Sequence, residues 1–396
     1  MAEPENRVLI DEITLRSLLS YAPDTEPVEL RSLNVLIGPN GSGKSNFLDA
    51  FDVLRAAPNE ITLPIQRSGR MDAWLWQNER GVSADSFSIE AVVSLDPTRV
   101  RYSVSLASRP PFGYVTNERI EDAKAKAASK KPYFYFGYEN GRPMINGKGE
   151  KGRRALRSDQ IDPQRSILAQ RREPDMYPEL SRLAEKLGAI RSYRSWSFGR
   201  DAPGRGPQPT ELPTLGLSPS GDNLVLVLHR LAGIPRVKRE ILERLRQLYA
   251  PLDDLYVEIA GGNALLFLIE GDRRIPATRL SDGTLRYLSL LAILCDPEPP
   301  PLIILEEPEL GLHPDVLPTI ADMLVQAAER TQLIVTTHSG VLVDAFTESP
   351  EHVLVCERTD GGTRVRRLDG KKLAVWLKEY SLGTLWSQGD IGGNRW

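Results

Sequence analysis

The stretch Gly38-Pro-Asn-Gly-Ser-Gly-Lys-Ser45 matches the pattern G-x-x-x-x-G-K-S at every fixed position. The run Leu33–Ile37 before it is short, apolar and followed by glycine, which is typical of a buried strand. Residues 46–56 after it have helical periodicity. A glycine-rich loop between a strand and a helix directs backbone N–H groups and a helix N-terminus at one point. The sequence therefore predicts a phosphate-binding P-loop.

Each residue type in this loop has a chemical reason to be there. Gly38, Gly41 and Gly43 permit the tight turns that aim successive N–H groups at a phosphate. Lys44 is expected to reach the β- and γ-phosphates, and the Ser45 hydroxyl to bind Mg²⁺. The predicted nucleotide contacts from this loop are Gly38, Asn40, Gly41, Ser42, Gly43, Lys44, Ser45 and Asn46.

Two adjacent carboxylates follow a second apolar strand, Leu302–Leu305. Adjacent strand residues point to opposite faces, so Glu306 and Glu307 cannot share one role. We expect Glu306 to bind Mg²⁺ through water, and Glu307 to hold and deprotonate the attacking water. An acidic turn that caps a buried strand explains Glu306-Glu-Pro-Glu309 equally well when it is taken alone. Its position after a P-loop favours the catalytic interpretation.

The stretch Leu280-Ser-Asp-Gly-Thr284 leads into a helical pattern. Ser281 can cap that helix, and the free N–H groups of the first turn, with the Gly283 backbone, can bind an anion. An ordinary serine cap is an equally good explanation of these five residues. Their order and spacing before the carboxylate strand favour the anion site.

A further strand, Gln332–Thr336, leads to Thr337-His338-Ser339. His338 can donate a hydrogen bond to the γ-phosphate and help to position the attacking water. A single histidine is more often structural, but this one completes an ordered series of motifs.

Bulk composition excludes several classes of protein. The chain has 396 residues, 26% of them charged, and a net charge of −3, so it is not a strongly basic protein throughout. No apolar run is long enough to predict a membrane span, and the polar start is unlike a signal peptide. The histidines and the two cysteines, Cys295 and Cys356, lack the spacing of a zinc site. We therefore expect a cytoplasmic protein with buried free thiols and no membrane partner.

The middle of the chain differs in charge from the rest. Residues 119–172 contain fourteen Lys or Arg and six Asp or Glu, a net charge of +8. Four aromatic residues, Tyr133 to Phe136, lie among them, and basic plus aromatic character suits nucleic acid. A solvated basic arm is the alternative. The pattern predicts three segments: the N-terminal half of a head at 1–105, an inserted basic arm or lid with a linker at 106–250, and the C-terminal half of the head at 251–396.

Together these motifs resemble the ATP-binding-cassette ATPases of the RecF/SMC/OLD-like group, and in particular stand-alone RecF-like proteins with an AAA-type cassette. The resemblance is good at both ends of the chain and poor in the middle. It implies an α/β P-loop NTPase head of ABC type, with a mixed central sheet, an antiparallel β subdomain and an inserted arm or lid. The stretches that carry it are Gly38–Asn46, Leu280–Arg286, Glu306–Pro314, Thr336–Ser339 and Tyr380–Trp386.

The resemblance also implies a mechanism. Heads of this group bind ATP and Mg²⁺ and dimerise face to face, so that each nucleotide is completed by the other head. Ser281 and Gly283 would then act in trans, and the segment Glu309–His313 would cross the dimer interface. The residues expected to act in cis are Lys44, Ser45, Glu306, Glu307 and His338.

Three functions are compatible with these motifs. The first is an ATP-dependent switch in DNA repair or genome maintenance, and the second is a regulatory ATPase of an antiviral defence module with a separate effector protein. A transporter motor is the least favoured, because of the large insertion and the acidic run after the carboxylate strand. The sequence departs from transporter cassettes at Asp282 and Thr284, and its Q-loop residue is either Gln66 or, with a weak preference, Gln77.

Overall fold

The computed structural model describes residues 8–78, 80–109, 112–125, 131–148 and 152–393. The described residues form two compact units. The first is drawn from residues 1–190, 351–368 and 389–396, and the second from residues 191–350 and 369–388. Residues 126–130 and 149–151 of the predicted basic arm lie outside the described residues.

Most secondary-structure elements occur where the sequence pattern places them. The strands, in chain order, are β1 Ile10–Arg16, β2 Val28–Glu29, β3 Leu33–Ile37, β4 Ser86–Ser94, β5 Arg99–Arg109, β6 Phe112–Asp122, β7 Phe134–Glu139, β8 Arg142–Ile145, β9 Arg154–Ala155, β10 Arg191–Tyr193, β11 Gln208–Pro209, β12 Asp254–Ala260, β13 Asn263–Glu270, β14 Arg273–Pro276, β15 Leu302–Glu306, β16 Gln332–Thr336, β17 Val353–Thr359 and β18 Gly362–Arg367. The α-helices are α1 Lys44–Ala56, α2 Leu63–Ser68, α3 Ile167–Gln170, α4 Pro178–Gly188, α5 Leu224–Ala232, α6 Pro235–Leu248, α7 Asp282–Leu294, α8 Leu317–Ala327, α9 Gly340–Asp344, α10 Gly370–Leu373 and α11 Leu382–Gln388.

The first unit contains an antiparallel sheet with the strand order β2-β1-β4-β5-β6-β7-β8-β9. Along β4 the residues alternate between buried and half-buried, because successive side chains point to opposite faces of the sheet. Strands β4 and β5 pair in the antiparallel sense, with Ile89 opposite Val104. Strands β6 to β9 of the middle segment extend the same sheet.

The first unit also contains the strand that leads into the P-loop. All five residues of β3 are buried, and β3 runs parallel to β17, with Val35 opposite Val353. Strand β17 then pairs with β18 in the antiparallel sense. This set of strands is therefore mixed, as predicted for an α/β head.

The second unit is built around the parallel strands β10, β15 and β16. Leu302 lies opposite Gln332 in the pairing of β15 with β16, so both strands end at the same edge. The four apolar residues of β15 are buried, and its last residue, Glu306, is half-buried. An antiparallel group, β11 to β14, completes the strands of this unit.

The structure also describes the length and polarity of the helices and the surroundings of the two cysteines. Among the described residues, no helix is both long and apolar enough to cross a membrane. Cys295 and Cys356 are both free and buried, as predicted.

Candidate functional site

The P-loop joins β3 to α1, and its conformation requires glycine. Gly43 has φ of +100°, in the left-handed region. A Cβ atom on Gly43 would lie within 2.8 Å of atoms of both Thr363 and Ser20. A Cβ atom on Gly38 would lie within 2.8 Å of the Cys356 carbonyl oxygen and of Ser42 Oγ. The glycines of the motif are therefore required by the backbone and by the packing around it.

The loop has the features of an anion site. Helix α1 begins at Lys44 without a side-chain cap, and its first turn contains no acidic residue. The Lys44 ammonium group is buried against the loop and donates to the carbonyl oxygens of Gly38 at 2.7 Å and Pro39 at 3.1 Å. Ser42 is 1% exposed, and its Oγ atom has no hydrogen-bond partner among the residues that the structure describes. A buried hydroxyl donor, an ammonium group and an uncapped helix N-terminus fit a phosphate.

Residues distant in sequence hold the loop in place. The Tyr21 hydroxyl donates to the Gly43 carbonyl oxygen at 3.1 Å, and burial raises the pKa of Tyr21. Thr363 Oγ1 donates to the Ser42 carbonyl oxygen at 3.0 Å. The Asn46 amide, predicted to contact nucleotide, donates to Ser20 Oγ at 2.8 Å. The sequence carries no recognised motif at residues 20, 21 or 363, so these supports were not predicted.

A cavity of about 850 Å³ lies beside this network in the first unit. Ser20 and Gly362 line it, and both are neighbours of the P-loop supports. Trp76, Gln77 and Arg358 also line it, which gives it one aromatic surface and several hydrogen-bonding groups. Its volume is in the usual range for a small-molecule pocket.

The two candidate Q-loop residues both lie in the first unit. Gln77 lines this cavity. The Gln66 amide donates to Thr62 Oγ1 at 3.0 Å, close to its own helix α2. The choice between them stays a prediction.

In the second unit the predicted metal-binding carboxylate, Glu306, and the predicted base, Glu307, lie at the end of β15. Glu307 has φ of +47°, which is rare for a residue with a side chain and is found mostly at sites held by their surroundings. Its N–H donates to the Thr336 carbonyl oxygen at 3.0 Å, which fixes this turn to the end of β16. His338 Nε2 lies 3.4 Å from Glu307 Oε1. The structure therefore brings the predicted base and the predicted histidine together.

Glu306 has partners that the sequence did not reveal. Arg194 Nε donates to Glu306 Oε2 at 3.0 Å. The Trp196 indole N–H donates to the Glu306 carbonyl oxygen at 2.9 Å. Both residues follow the three-residue strand β10, which is too short to give a periodic signal.

Glu309 connects the carboxylate turn, residues 306–309 at the end of β15, to residues 337–339 after β16. Its Oε1 atom accepts hydrogen bonds from Thr337 Oγ1 at 2.5 Å and from the His338 N–H at 3.0 Å. Burial raises the pKa of Glu309, although these hydrogen bonds lower it. Glu309 thus fixes the main chain at His338, a role that the sequence did not indicate.

The predicted serine cap is present at the start of α7. Ser281 Oγ accepts from the Thr284 N–H at 3.1 Å. The neighbouring Asp282 carboxylate pairs with Arg205, whose guanidinium also donates to the Leu280 carbonyl oxygen. The turn that precedes α7 is therefore held by an arginine from the loop before β11.

Arg286 links α7 to the carboxylate turn. Its guanidinium donates to the carbonyl oxygens of Glu307, at 3.3 Å, and Leu310. It also lies over the rings of Trp196 and Phe198, 5.3 and 5.2 Å from their centroids. Burial lowers the pKa of Arg286, and the nearby carboxylates oppose that shift. One buried arginine thus connects helix α7, the carboxylate turn and the segment after β10.

The two residues predicted to bind Mg²⁺, Ser45 and Glu306, both offer oxygen ligands. Within the described ranges, no group of three or more His, Cys, Asp or Glu side chains could hold a metal by itself. Mg²⁺ prefers oxygen ligands and is commonly bound by one or two carboxylates with phosphate oxygens and water. The Glu306 carboxylate and the Ser45 hydroxyl have this chemistry, so each is compatible with such an ion.

A strand–P-loop–helix and a second apolar strand that ends in adjacent carboxylates define a P-loop ATPase fold. Residues 33–344 match the family described as "AAA domain, putative AbiEii toxin, Type IV TA system". The match spans more than half of the chain, and the chain therefore belongs to this family. Comparison with curated proteins gave no match.

Solved structures of SMC head domains have a similar fold. One is a SmcHead bound to the C-winged helix domain of ScpA; it is 14% identical, with a TM-score of 0.58 over 92% of this chain and 99% of that chain. Another is an Smc head domain with an extended coiled coil, bound to the C-terminal domain of ScpA and derived from Pyrococcus furiosus. It is 11% identical, with a TM-score of 0.56 over 94% of this chain and 99% of that chain. At these identities the likeness shows the fold, an SMC-head-like P-loop ATPase domain of ABC type.

Proposed function

We propose that this protein binds ATP with Mg²⁺, hydrolyses it, and dimerises in response to the bound nucleotide. The observation that carries this proposal is the P-loop itself. An uncapped helix N-terminus, a buried ammonium group and the unpartnered Ser42 hydroxyl lie together in one loop. In the nucleotide-bound protein, the phosphate would replace the carbonyl oxygens that now accept from Lys44.

The second unit would supply the hydrolytic groups. Glu307 would act as the general base, because its carboxylate is half-exposed and lies beside His338. His338 would help to hold the attacking water or the γ-phosphate. Glu306 would bind Mg²⁺, with Ser45 as the ligand from the P-loop.

Dimerisation would follow from the start of α7. This helix has 13 residues, and its N-terminus is fixed by the Ser281 cap, with Gly283 in its first turn. Such an N-terminus can bind a γ-phosphate presented by a second copy of the chain. Leu310, in the segment expected to cross the dimer interface, is 59% exposed. An apolar side chain with this exposure is suited to burial against a second copy.

Two substitutions test this proposal. Lys44→Ala should abolish nucleotide binding, measured with a fluorescent ATP analogue. Glu307→Gln should leave binding intact, slow phosphate release by roughly 10²–10⁴-fold and trap an ATP-bound dimer in sizing chromatography. Full turnover by Lys44→Ala would refute the P-loop assignment. A Glu307→Gln protein that stays monomeric with ATP would refute the shared site.

We propose further that the ATP-bound dimer binds DNA, as in a switch for repair or genome maintenance. The net charge of +8 over residues 119–172 supports this. The expectation that the aromatic residues contact nucleic acid is wrong for three of the four. Tyr133 is 46% exposed, but the next three aromatic residues are buried in the sheet and cannot stack on bases.

The structure also shows which arginines to test. Arg153 and Arg157 are partly or largely exposed, and each pairs with an acidic side chain at the surface, Glu139 and Asp159 respectively. Arg153 also lies over the Phe134 ring, 4.6 Å from its centroid. Arg154 donates to the Tyr177 hydroxyl and is better left intact. The second candidate function, a regulatory ATPase that acts on a separate effector in a defence module, does not require DNA binding by this segment.

A salt-titrated DNA-binding assay with and without ATP separates these roles. Arg153→Glu with Arg157→Glu should weaken binding and lower its salt dependence by about two phosphate contacts. Arg236→Glu with Arg239→Glu, on the exposed face of α6, is the charge-matched control. Equal binding by the two double variants would dismiss the basic segment as the DNA surface.

A further inference from the structure

The carboxylate assigned to Mg²⁺ is held by a segment that no motif indicated. Strand β10 runs parallel to β15, with Tyr193 opposite Leu305. The next residues, Arg194 and Glu306, are therefore neighbours, and their Nε and Oε2 atoms are 3.0 Å apart. Each side chain is only 20% exposed, so the pair is shielded from water. Trp196 binds the main-chain carbonyl of the same glutamate.

The segment that carries Arg194 is itself held rigidly. The rings of Tyr193 and Trp196 stack with centroids 6.0 Å apart and planes 21° apart. The rings of Trp196 and Phe198 stack at 5.7 Å and 22°. Arg286 covers two of these rings. The stacked rings of Tyr193, Trp196 and Phe198 order the main chain on both sides of Arg194. This lowers the entropy cost of its ion pair with Glu306.

The local charges explain why a cation is needed here. Glu306, Glu307 and Glu309 place three carboxyl groups within four residues. Among the described neighbours, Arg194 faces Glu306 and His338 faces Glu307, whereas Arg286 binds main-chain carbonyl oxygens of this turn. The Arg194 guanidinium lies at hydrogen-bond distance from Oε2, one of the two Glu306 oxygens to which Mg²⁺ or its water would bind. A cation bound at this oxygen would have to displace the hydrogen bond from Arg194.

We propose that Arg194 is a positioning residue that holds Glu306 before the metal arrives and sets the Mg²⁺ concentration needed for nucleotide binding. This inference rests on the proposed ATP binding. With Mg²⁺ or its bound water held by Glu306, the hydrogen bond from Arg194 to Oε2 would be lost. The chain then has a built-in threshold, because nucleotide without sufficient Mg²⁺ cannot displace the arginine.

The test measures binding of a fluorescent ATP analogue while MgCl₂ is titrated. Arg194→Gln removes the charge, and the Mg²⁺ concentration at half-maximal binding should fall by about tenfold, as expected when a shielded charged hydrogen bond is lost. Arg194→Lys should give a smaller decrease, because lysine keeps the charge without the planar fork. Arg200→Gln, an exposed arginine in the same loop, is the control and should match the wild type.

The outcomes separate this inference from the proposed function. If the wild type binds the analogue and Lys44→Ala does not, but Arg194→Gln needs as much Mg²⁺ as the wild type or more, the inference alone is overturned. If the wild type does not bind the analogue, both fail. Melting temperatures without Mg²⁺ show whether Arg194→Gln is folded. If it is not, an unchanged Mg²⁺ midpoint in Arg194→Lys overturns the inference.

Discussion

Replacing Gly43 by alanine tests whether the P-loop conformation is set by packing as well as by backbone geometry. The new Cβ atom would lie within 2.8 Å of Thr363 Oγ1, Thr363 Cγ2 and Ser20 Oγ. Gly41→Ala is a matched control, because Gly41 also has a positive φ, +80°, but a Cβ there has nothing within 4 Å. Both variants carry the cost of placing alanine in the left-handed region. Only Gly43→Ala adds steric overlap between the new Cβ atom and its neighbours.

The structure gives the expected size of each effect. An alanine forced into the left-handed region costs about 1–2 kcal/mol in either variant. Crowding in a packed region costs about 1–3 kcal/mol more, and it applies only to Gly43→Ala. For a domain of about 150–250 residues, each kcal/mol lowers the melting temperature by about 2–4 °C. Gly43→Ala should therefore melt at least about 2 °C below Gly41→Ala.

Thermal unfolding without nucleotide is the assay, since both glycines are expected to contact phosphate. A third variant, Gly43→Ala with Thr363→Ala, removes two of the three overlapping atoms. Its free energy of unfolding should be higher than the sum of the two single effects predicts, by about 0.5–3 kcal/mol. Equal melting of Gly41→Ala and Gly43→Ala, or strict additivity in the double variant, would refute the packing argument.

Three other outcomes follow from the structure. Burial raises the pKa of Glu309 above its ordinary value of 4.5, so the folded protein binds that proton more tightly than the unfolded chain does. This stability is present in full below pH 4.5 and is lost as the pH rises through the raised pKa. The melting temperature of the wild type should fall relative to that of Glu309→Gln over this range, and a constant difference would contradict the shift. Burial raises the pKa of the Cys295 and Cys356 thiols to about 12. Neither should react with an aromatic disulfide reagent until the protein is denatured, and rapid labelling of the native protein would show that a thiol is accessible. Arg286→Lys loses the planar fork that binds the carbonyl oxygens of the carboxylate turn; ATP hydrolysis should slow by about tenfold or more while binding of the ATP analogue is kept, and unchanged phosphate release would exclude a positioning role.

Local patterns in the sequence were sufficient for the elements that carry the motifs. The buried strand before the P-loop was recognisable because all its residues are apolar or neutral and a glycine follows. The serine cap of α7 was recognisable because a cap and the N–H it binds are three residues apart. The carboxylates at the end of β15 and the histidine after β16 lie at one edge, since parallel strands end together.

Patterns failed where neighbours in space are far apart in sequence. The run of four aromatic residues from Tyr133 to Phe136 indicates a nucleic-acid surface when the sequence is taken alone. The pairing of β7 with β6 and β8 instead buries Phe134 to Phe136 in the sheet, which is covered on both faces there. A run of aromatic residues does not itself show whether one face or two are covered.

The sequence by itself determined that this protein has a P-loop, two adjacent carboxylates and a capped helix, because each of these depends on residues within a few positions of one another. Only the tertiary structure decided what holds them. Arg194 and Glu306 are 112 positions apart, and Thr363 and Ser42 are 321 apart. Strand order brings such pairs together, and strand order depends on the packing of the whole sheet, which no local pattern contains.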